Sequence, residues 1–167
     1  MSFRRLSVAA ALVGVTAILG ALLFAQGNSN PSIVGVWKVA ERTYTGPNAR
    51  KITSPQPGVR IFTQRHFSIS EDTSDTLREL PVEGATDKQR ADVSGPFTAQ
   101  AGTYEIKGNE ITQRRIAAKN PNNVRPEAFF INTFRFESKD THLWLTEKAN
   151  QNGPIANPII RKLTRLE

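Results

Sequence analysis

Two imidazoles, His66 and His142, and no cysteine are available for chemistry in the 167 residues. A metal site needs several His, Cys or carboxylate ligands brought together, and neither histidine has clustered acids or a helix-spaced partner nearby. They read as a strand-end and a turn-adjacent residue, so no metal ligand and no cofactor is assigned. A Gly-x-Ser-x-Gly elbow and a phosphate-cradling glycine loop are both missing, which leaves nucleophilic catalysis without a visible seat. Acid–base work would fall to Glu105, Tyr104 or His66, and no catalytic residue is assigned on that ground alone. What stands out instead is a bulky set, Trp37, Phe62, Phe67, Tyr104, Phe130, Phe134, Phe136 and Leu145. Such a set either fills a core or lines a cavity with a few polar groups such as Asn132, Gln113, and Arg115 or Arg135. The candidate ligand-binding residues are therefore Phe62, Phe67, Tyr104, Phe130, Asn132, Phe134 and Leu145.

Positioning these side chains requires strands. The ten prolines, which cannot donate to a sheet ladder, punctuate the chain, and apolar alternation fills the windows between them. Eight strands are predicted: 33–44, 59–63, 66–70, 102–107, 110–118, 129–137, 141–147 and 159–166. In the first, Trp37 and Val39 share one face, with Lys38, Ala40 and Arg42 on the other. In the second and third, Val59, Ile61, Phe67 and Ile69 are the inward candidates. Gly108-Asn109 supplies a two-residue hairpin turn, and Pro126 to Ala128 suggests a helical turn. Neighbours joined in chain order form a meander, which closes to abolish its edges. The expected fold is all-β: an eight-stranded antiparallel up-and-down barrel with an inserted loop/helix segment.

That insertion is residues 71–100. From 71 to 92 it holds seven acidic and three basic residues, with little apolar material to bury. Thr86 and Gln89 stand in capping-box register for a short helix to Val93. A lid over a barrel mouth and a solvated surface loop both fit this composition.

The formal net charge is +7, an excess that sits outside the acidic segment. Such a surface attracts anions or simply keeps a protein soluble; no basic run interleaved with aromatics suggests nucleic acid. At the N-terminus an apolar run from Val8 to Ala25 follows Arg4 and Arg5 and ends in Ala25-Gln26-Gly27. This is the layout of a signal peptide over 1–27, with a domain over 28–167; an uncleaved anchor is the alternative. The expected address is periplasmic or extracellular, with membrane contact only through that segment. Lack of cysteine excludes a disulfide framework and a lipid anchor on a post-signal Cys.

Three stretches, Gly35-Val36-Trp37, Gly58 to Thr63 with His66-Phe67-Ser68, and Ala101 to Ile106, resemble the bacterial lipocalin-like domain family, in its order. The resemblance covers roughly 32–167 and implies a lipocalin-type barrel. It also implies a structural lock in which Gly35 precedes Trp37 and Arg165 (or Arg161) packs over the indole and bonds backbone carbonyls. Together these readings lead to an exported, monomeric barrel that binds a small, largely apolar molecule with an anionic end. The alternatives are a barrel enzyme of isomerase or cyclase type acting on a lipid or polyketide, and an envelope interaction module without a cavity.

Overall fold

Residues 32–79 and 83–167 are described in the computed structural model, and the expected signal segment over 1–27 lies outside them. The strands are β1 (Gly35–Tyr44), β2 (Arg50–Ile52), β3 (Gly58–Phe62), β4 (His66–Asp72), β5 (Phe97–Lys107), β6 (Glu110–Ala118), β7 (Phe130–Glu137), β8 (His142–Asn150), β9 (Gly153–Pro154) and β10 (Ile159–Arg165). Eight of them pair antiparallel in the order β1-β3-β4-β5-β6-β7-β8-β10, and β10 pairs back onto β1. The short β2 and β9 lie alongside β1 and β8. The chain is thus a closed eight-stranded antiparallel up-and-down barrel, an architecture compatible with a lipocalin-like fold.

Closure depends on a few local devices. Gly108, at φ 62°, and Asn109 connect β5 to β6. At a β-bulge between Ala101 and Gly102 the β6 backbone runs so close that a Cβ on Gly102 would collide with the Arg114 carbonyl. A second bulge, between Val39 and Glu41, breaks the register of β1 against β10.

The interior has two ends of opposite character. At one, Trp37, Val39, Phe62, Phe67, Ile69, Ile111, Leu143, Leu145 and Leu163 are buried against one another. Tyr104, Phe134 and Phe136 pack on them, with Phe62 and Tyr104 meeting edge to face at 5.5 Å. Trp37 is fully buried and its indole N–H donates to the Ile33 carbonyl at 2.8 Å. The Arg165 guanidinium lies 4.1 Å from the Trp37 ring centroid. It donates to the carbonyls of Ser32 (2.6 Å), Val34 (2.8 Å) and Asp140 (3.0 Å), so a cation covers the indole face while its protons tie three segments together. Gly35, at φ 145°, lets the chain pass beneath: a Cβ there would lie 2.6 Å from Arg165 Nη1.

The opposite end is polar, and here two expected strand phases need correction. In β3, Gly58, Arg60 and Phe62 face inward, whereas Val59 is only half-buried and Ile61 is exposed. The register places Arg60 beside Trp37 and Ile69, and Phe62 beside Phe67, all inward residues. A one-residue phase difference moves every side chain of a strand to the other face. In β1, Arg42 is buried rather than outward, because the bulge after Val39 adds a residue and reverses the alternation.

The acidic excursion is shorter than the composition suggests. Glu71 and Asp72 remain in β4 and the chain re-enters the barrel at Phe97, so the described residues 73–79 and 83–96 lie off the ladder. Within them Thr86 caps the helix α1 (Asp87–Ser94) through a complete capping box with Gln89, and α1 has no buried residue. Its base is tied down by Arg78, which donates to Asp72 Oδ2 (2.5 Å) and to the Val93 carbonyl (2.6 Å). At Pro126 to Ala128 the expected turn is a single hydrogen-bonded one, with Ala128 N–H donating to the Arg125 carbonyl at 2.9 Å, and a 3-10 turn precedes it at Pro121–Val124. Among the described residues no helix is long and apolar enough to cross a membrane.

Candidate functional site

The polar end is organised by one carboxylate. Glu71, inward on β4, accepts from Arg42 Nη2 at 2.8 Å, Arg60 Nη2 at 2.6 Å and Arg161 Nε at 3.1 Å. Arg161 on β10 also donates from Nη1 to Glu147 of β8 at 2.7 Å. The three arginines come from adjacent strands, β10, β1 and β3, so the barrel wall itself aims them at one point. Glu71 is 1% exposed and Arg42 0%, so these ion pairs work away from water, where neither partner is replaceable by solvent.

Beside this cluster lies a cavity of about 320 Å³. Its lining includes Arg60, Glu71, Glu147 and Arg161 of the cluster together with Gln100, Arg115, Phe130 and Asn132. Thr73, Asn123, Asn150, Gln151 and Ile155 complete the lining. The Arg115 guanidinium stacks 4.2 Å from the Phe130 ring centroid, and its Nε donates to Gln100 Oε1 at 2.5 Å. Asn132, almost fully buried, donates from Nδ2 to Gln113 Oε1 at 3.0 Å. Three buried donors, Arg42 Nη1, Arg60 Nε and Gln113 Nε2, have no hydrogen-bond partner among the described residues.

The electrostatics favour an anion. Three guanidinium groups and two carboxylates line the cavity, and a fourth guanidinium, Arg42, rests on the same Glu71. Four cations therefore face two anions in a poorly solvated space. Burial alone would raise the Glu71 carboxyl, but the charges of Arg60 and Arg161, the bond from Arg60 and the charge of Arg42 hold it well below the usual carboxylate range. Burial, opposed by Glu71 and assisted by Arg161, pulls Arg60 down. Arg161 suffers the same burial yet is raised, because both Glu71 and Glu147 face it. Burial also pulls Arg115 down. Arginine remains protonated through such shifts, so the excess positive charge persists at neutral pH.

Of the residues expected to bind a ligand, Phe130 and Asn132 line this cavity. Phe62, Phe67, Phe134, Leu145 and Tyr104 stand in the packed end. Gln113 is buried behind Asn132, whereas Arg135 lies outside the barrel, 4.6 Å from the Trp144 ring. The acid–base groups considered for an enzyme stand elsewhere. Glu105 and His66 are exposed, and the Tyr104 hydroxyl is engaged by the Thr63 carbonyl. No cluster of three or more His, Cys, Asp or Glu suited to a metal occurs among the described residues. The chain matches no protein-family model and no curated protein.

Arg60, Glu71 and Glu147 are site residues that polarity alone assigns to the outer face. Their signal was positional. Arg60 is two residues before Phe62, Glu71 two after Ile69, Glu147 two after Leu145 and Arg161 two before Leu163, each on the inward phase of its strand.

Proposed function

We propose that this chain is an exported, lipocalin-like binding protein that holds a small molecule in the polar end of its barrel. The observation that carries this reading is the cavity of about 320 Å³, bordered by Arg60, Arg115 and Arg161 and reached by strands from around the wall. Its size lies at the small end of ligand pockets, which are usually about 300–1,000 Å³. Amide and guanidinium donors dominate its wall, while Phe130 and Ile155 offer limited apolar contact. The ligand is accordingly a small molecule with a polar, hydrogen-bonding body and an apolar portion resting on Phe130, rather than a largely apolar one. Among the described residues of the acidic excursion, Thr73 at its base borders the cavity and the others do not. Export rests on the apolar run behind Arg4 and Arg5. Membership of the bacterial lipocalin-like domain family rests on the three sequence stretches and the compatible barrel.

Native mass spectrometry of the protein purified from its own envelope tests this directly. The expected spectrum shows a chain beginning at Asn28 with a small adduct that dissociates on unfolding. A bare chain, still bare after incubation with an extract of the same cells, removes the binding reading. A mass that includes Met1 to Gly27 removes cleavage.

A further inference from the structure

Arg115 is held unlike the other cavity arginines. Arg60 and Arg161 each pair with a carboxylate, at 2.6 Å and 2.7–3.1 Å, whereas Arg115 has no carboxylate partner among the described residues. One face of its guanidinium is taken by the Phe130 ring and its Nε by Gln100, so the plane is fixed and the two Nη groups form the edge left without a partner. Arg60, 4% exposed, borders the same cavity and has a buried Nε without an acceptor. A desolvated guanidinium donor left unpaired is costly, and planar forks of N–H groups match oxyanions.

We infer that the ligand carries an oxyanion, seated on the Nη edge of Arg115 and within reach of Arg60, and that Glu71 and Glu147 reserve Arg115 for it by occupying the other guanidinium groups. The inference rests on the binding reading above and assigns the ligand's anionic group to one particular guanidinium. Glu71 neutralises part of the buried charge but sits against Arg42, Arg60 and Arg161, not Arg115. The wall is therefore charge-balanced near Glu71 and unbalanced near Arg115, so an anion gains most there. Phe130 then has two roles: it orients the guanidinium and presents its ring beside the ligand's apolar part. Carboxylate and phosphate groups share the required chemistry, so the probes must separate them.

The test follows the arginine Nε–Hε resonances of the dialysed protein during titration at constant ionic strength with acetate, inorganic phosphate and neutral acetamide. Saturable shifts of the Arg115 and Arg60 signals with an anion, but not with acetamide, are expected. Arg50, in its exposed pair with Asp75, serves as the reference that should move only slightly and without saturation. Saturation by acetate alone assigns a carboxylate ligand, and saturation by phosphate alone a phosphate. Arg115→Gln should weaken the anion response at Arg60 by about tenfold with its dispersed amide spectrum intact, and Arg115→Lys should recover part of it. Arg115 and Arg60 tracking Arg50, or moving equally with acetamide, overturns the inference. In that event a small-molecule adduct in native mass spectra leaves the binding reading standing with a neutral ligand, whereas a bare chain ends both.

Discussion

Replacing Glu71 by Gln keeps the shape of the side chain and removes the counter-ion of three buried arginines. The native carboxylate accepts from Arg42, Arg60 and Arg161 over 2.6–3.1 Å. An amide oxygen accepts from one or two of them, and its NH2 group meets guanidinium donors instead of acceptors. Breaking a buried ion pair by removing one partner costs about 3–5 kcal/mol, because the remaining charge is left in poor solvent. Glu71→Gln should therefore lose about 4 kcal/mol, a large share of the 5–15 kcal/mol typical of a domain. That corresponds to a fall in Tm of about 10–20 °C, measured by urea and thermal unfolding at pH 7. The pH dependence carries an independent sign. The folded-state carboxyl is depressed, so its contribution is complete above the unfolded value of about 4.3 and is lost as pH falls toward the folded value. Each unit below that point removes about 1.4 kcal/mol, so the gap between wild type and variant should narrow by about 1.5–2 kcal/mol between pH 6 and pH 3. Removing a cation as well, in Glu71→Gln with Arg42→Met, should restore part of the loss, since Arg42 is then no longer stranded. A single variant within about 1 kcal/mol of wild type, or a gap that stays constant with pH, would refute the account of Glu71 as the keystone of the polar end.

Trp37→Ala should cost about 3–5 kcal/mol and Arg165→Ala less, with a double variant milder than the sum because the two side chains stack; unfolding followed by Trp37 fluorescence in a Trp144→Phe background reads both. Thr86→Ala should remove the α1 cap and speed amide exchange at 87–94, as expected for a loss of about 1 kcal/mol, while leaving Tm unchanged because α1 buries nothing. Exchange across the rest of the 73–96 excursion should likewise be faster than across β5 to β8, and equal protection would show that the excursion is part of the core.

The barrel was legible because its signals are local and repeat: prolines between strand windows, Gly108-Asn109 between β5 and β6, and alternation through Phe130, Phe134 and Phe136. The capping box at Thr86 was legible for the same reason, since a cap is decided within four residues. The polar end was not. Alternation reports that neighbouring side chains part company, but which set goes inward was judged by polarity, and polarity misleads where charges are paired inside. Val59 and Ile61 look like the inward pair of β3 until Arg60 is known to have Glu71 waiting, a partner 11 residues away in sequence. Arg42 and Arg161 are further still from Glu71, 29 and 90 residues. The bulge in β1 leaves no mark in composition, so the sequence describes a regular strand with Arg42 on its outer face.

That bulge has a consequence for changes in chain length. With Ala40 as the extra residue, Val39 pairs with Leu163 and Glu41 with Lys162, consecutive positions on β10. A chain lacking Ala40 would run through the same register without interruption, and Arg42 would still point at Glu71. Shortening β1 by one residue there is thus a milder change than substituting Arg42 two positions later, the reverse of the usual order of severity for deletions within a strand. The alternative way to straighten β1, keeping its full length, would slide Glu41 into the barrel opposite another carboxylate and push Arg42 into solvent. Charge therefore guards the reading frame of the strand: sequences related by loss of Ala40 keep the same interior, whereas a residue gained between Glu41 and Arg42 takes the inward place beside Glu71 and turns Arg42 outward.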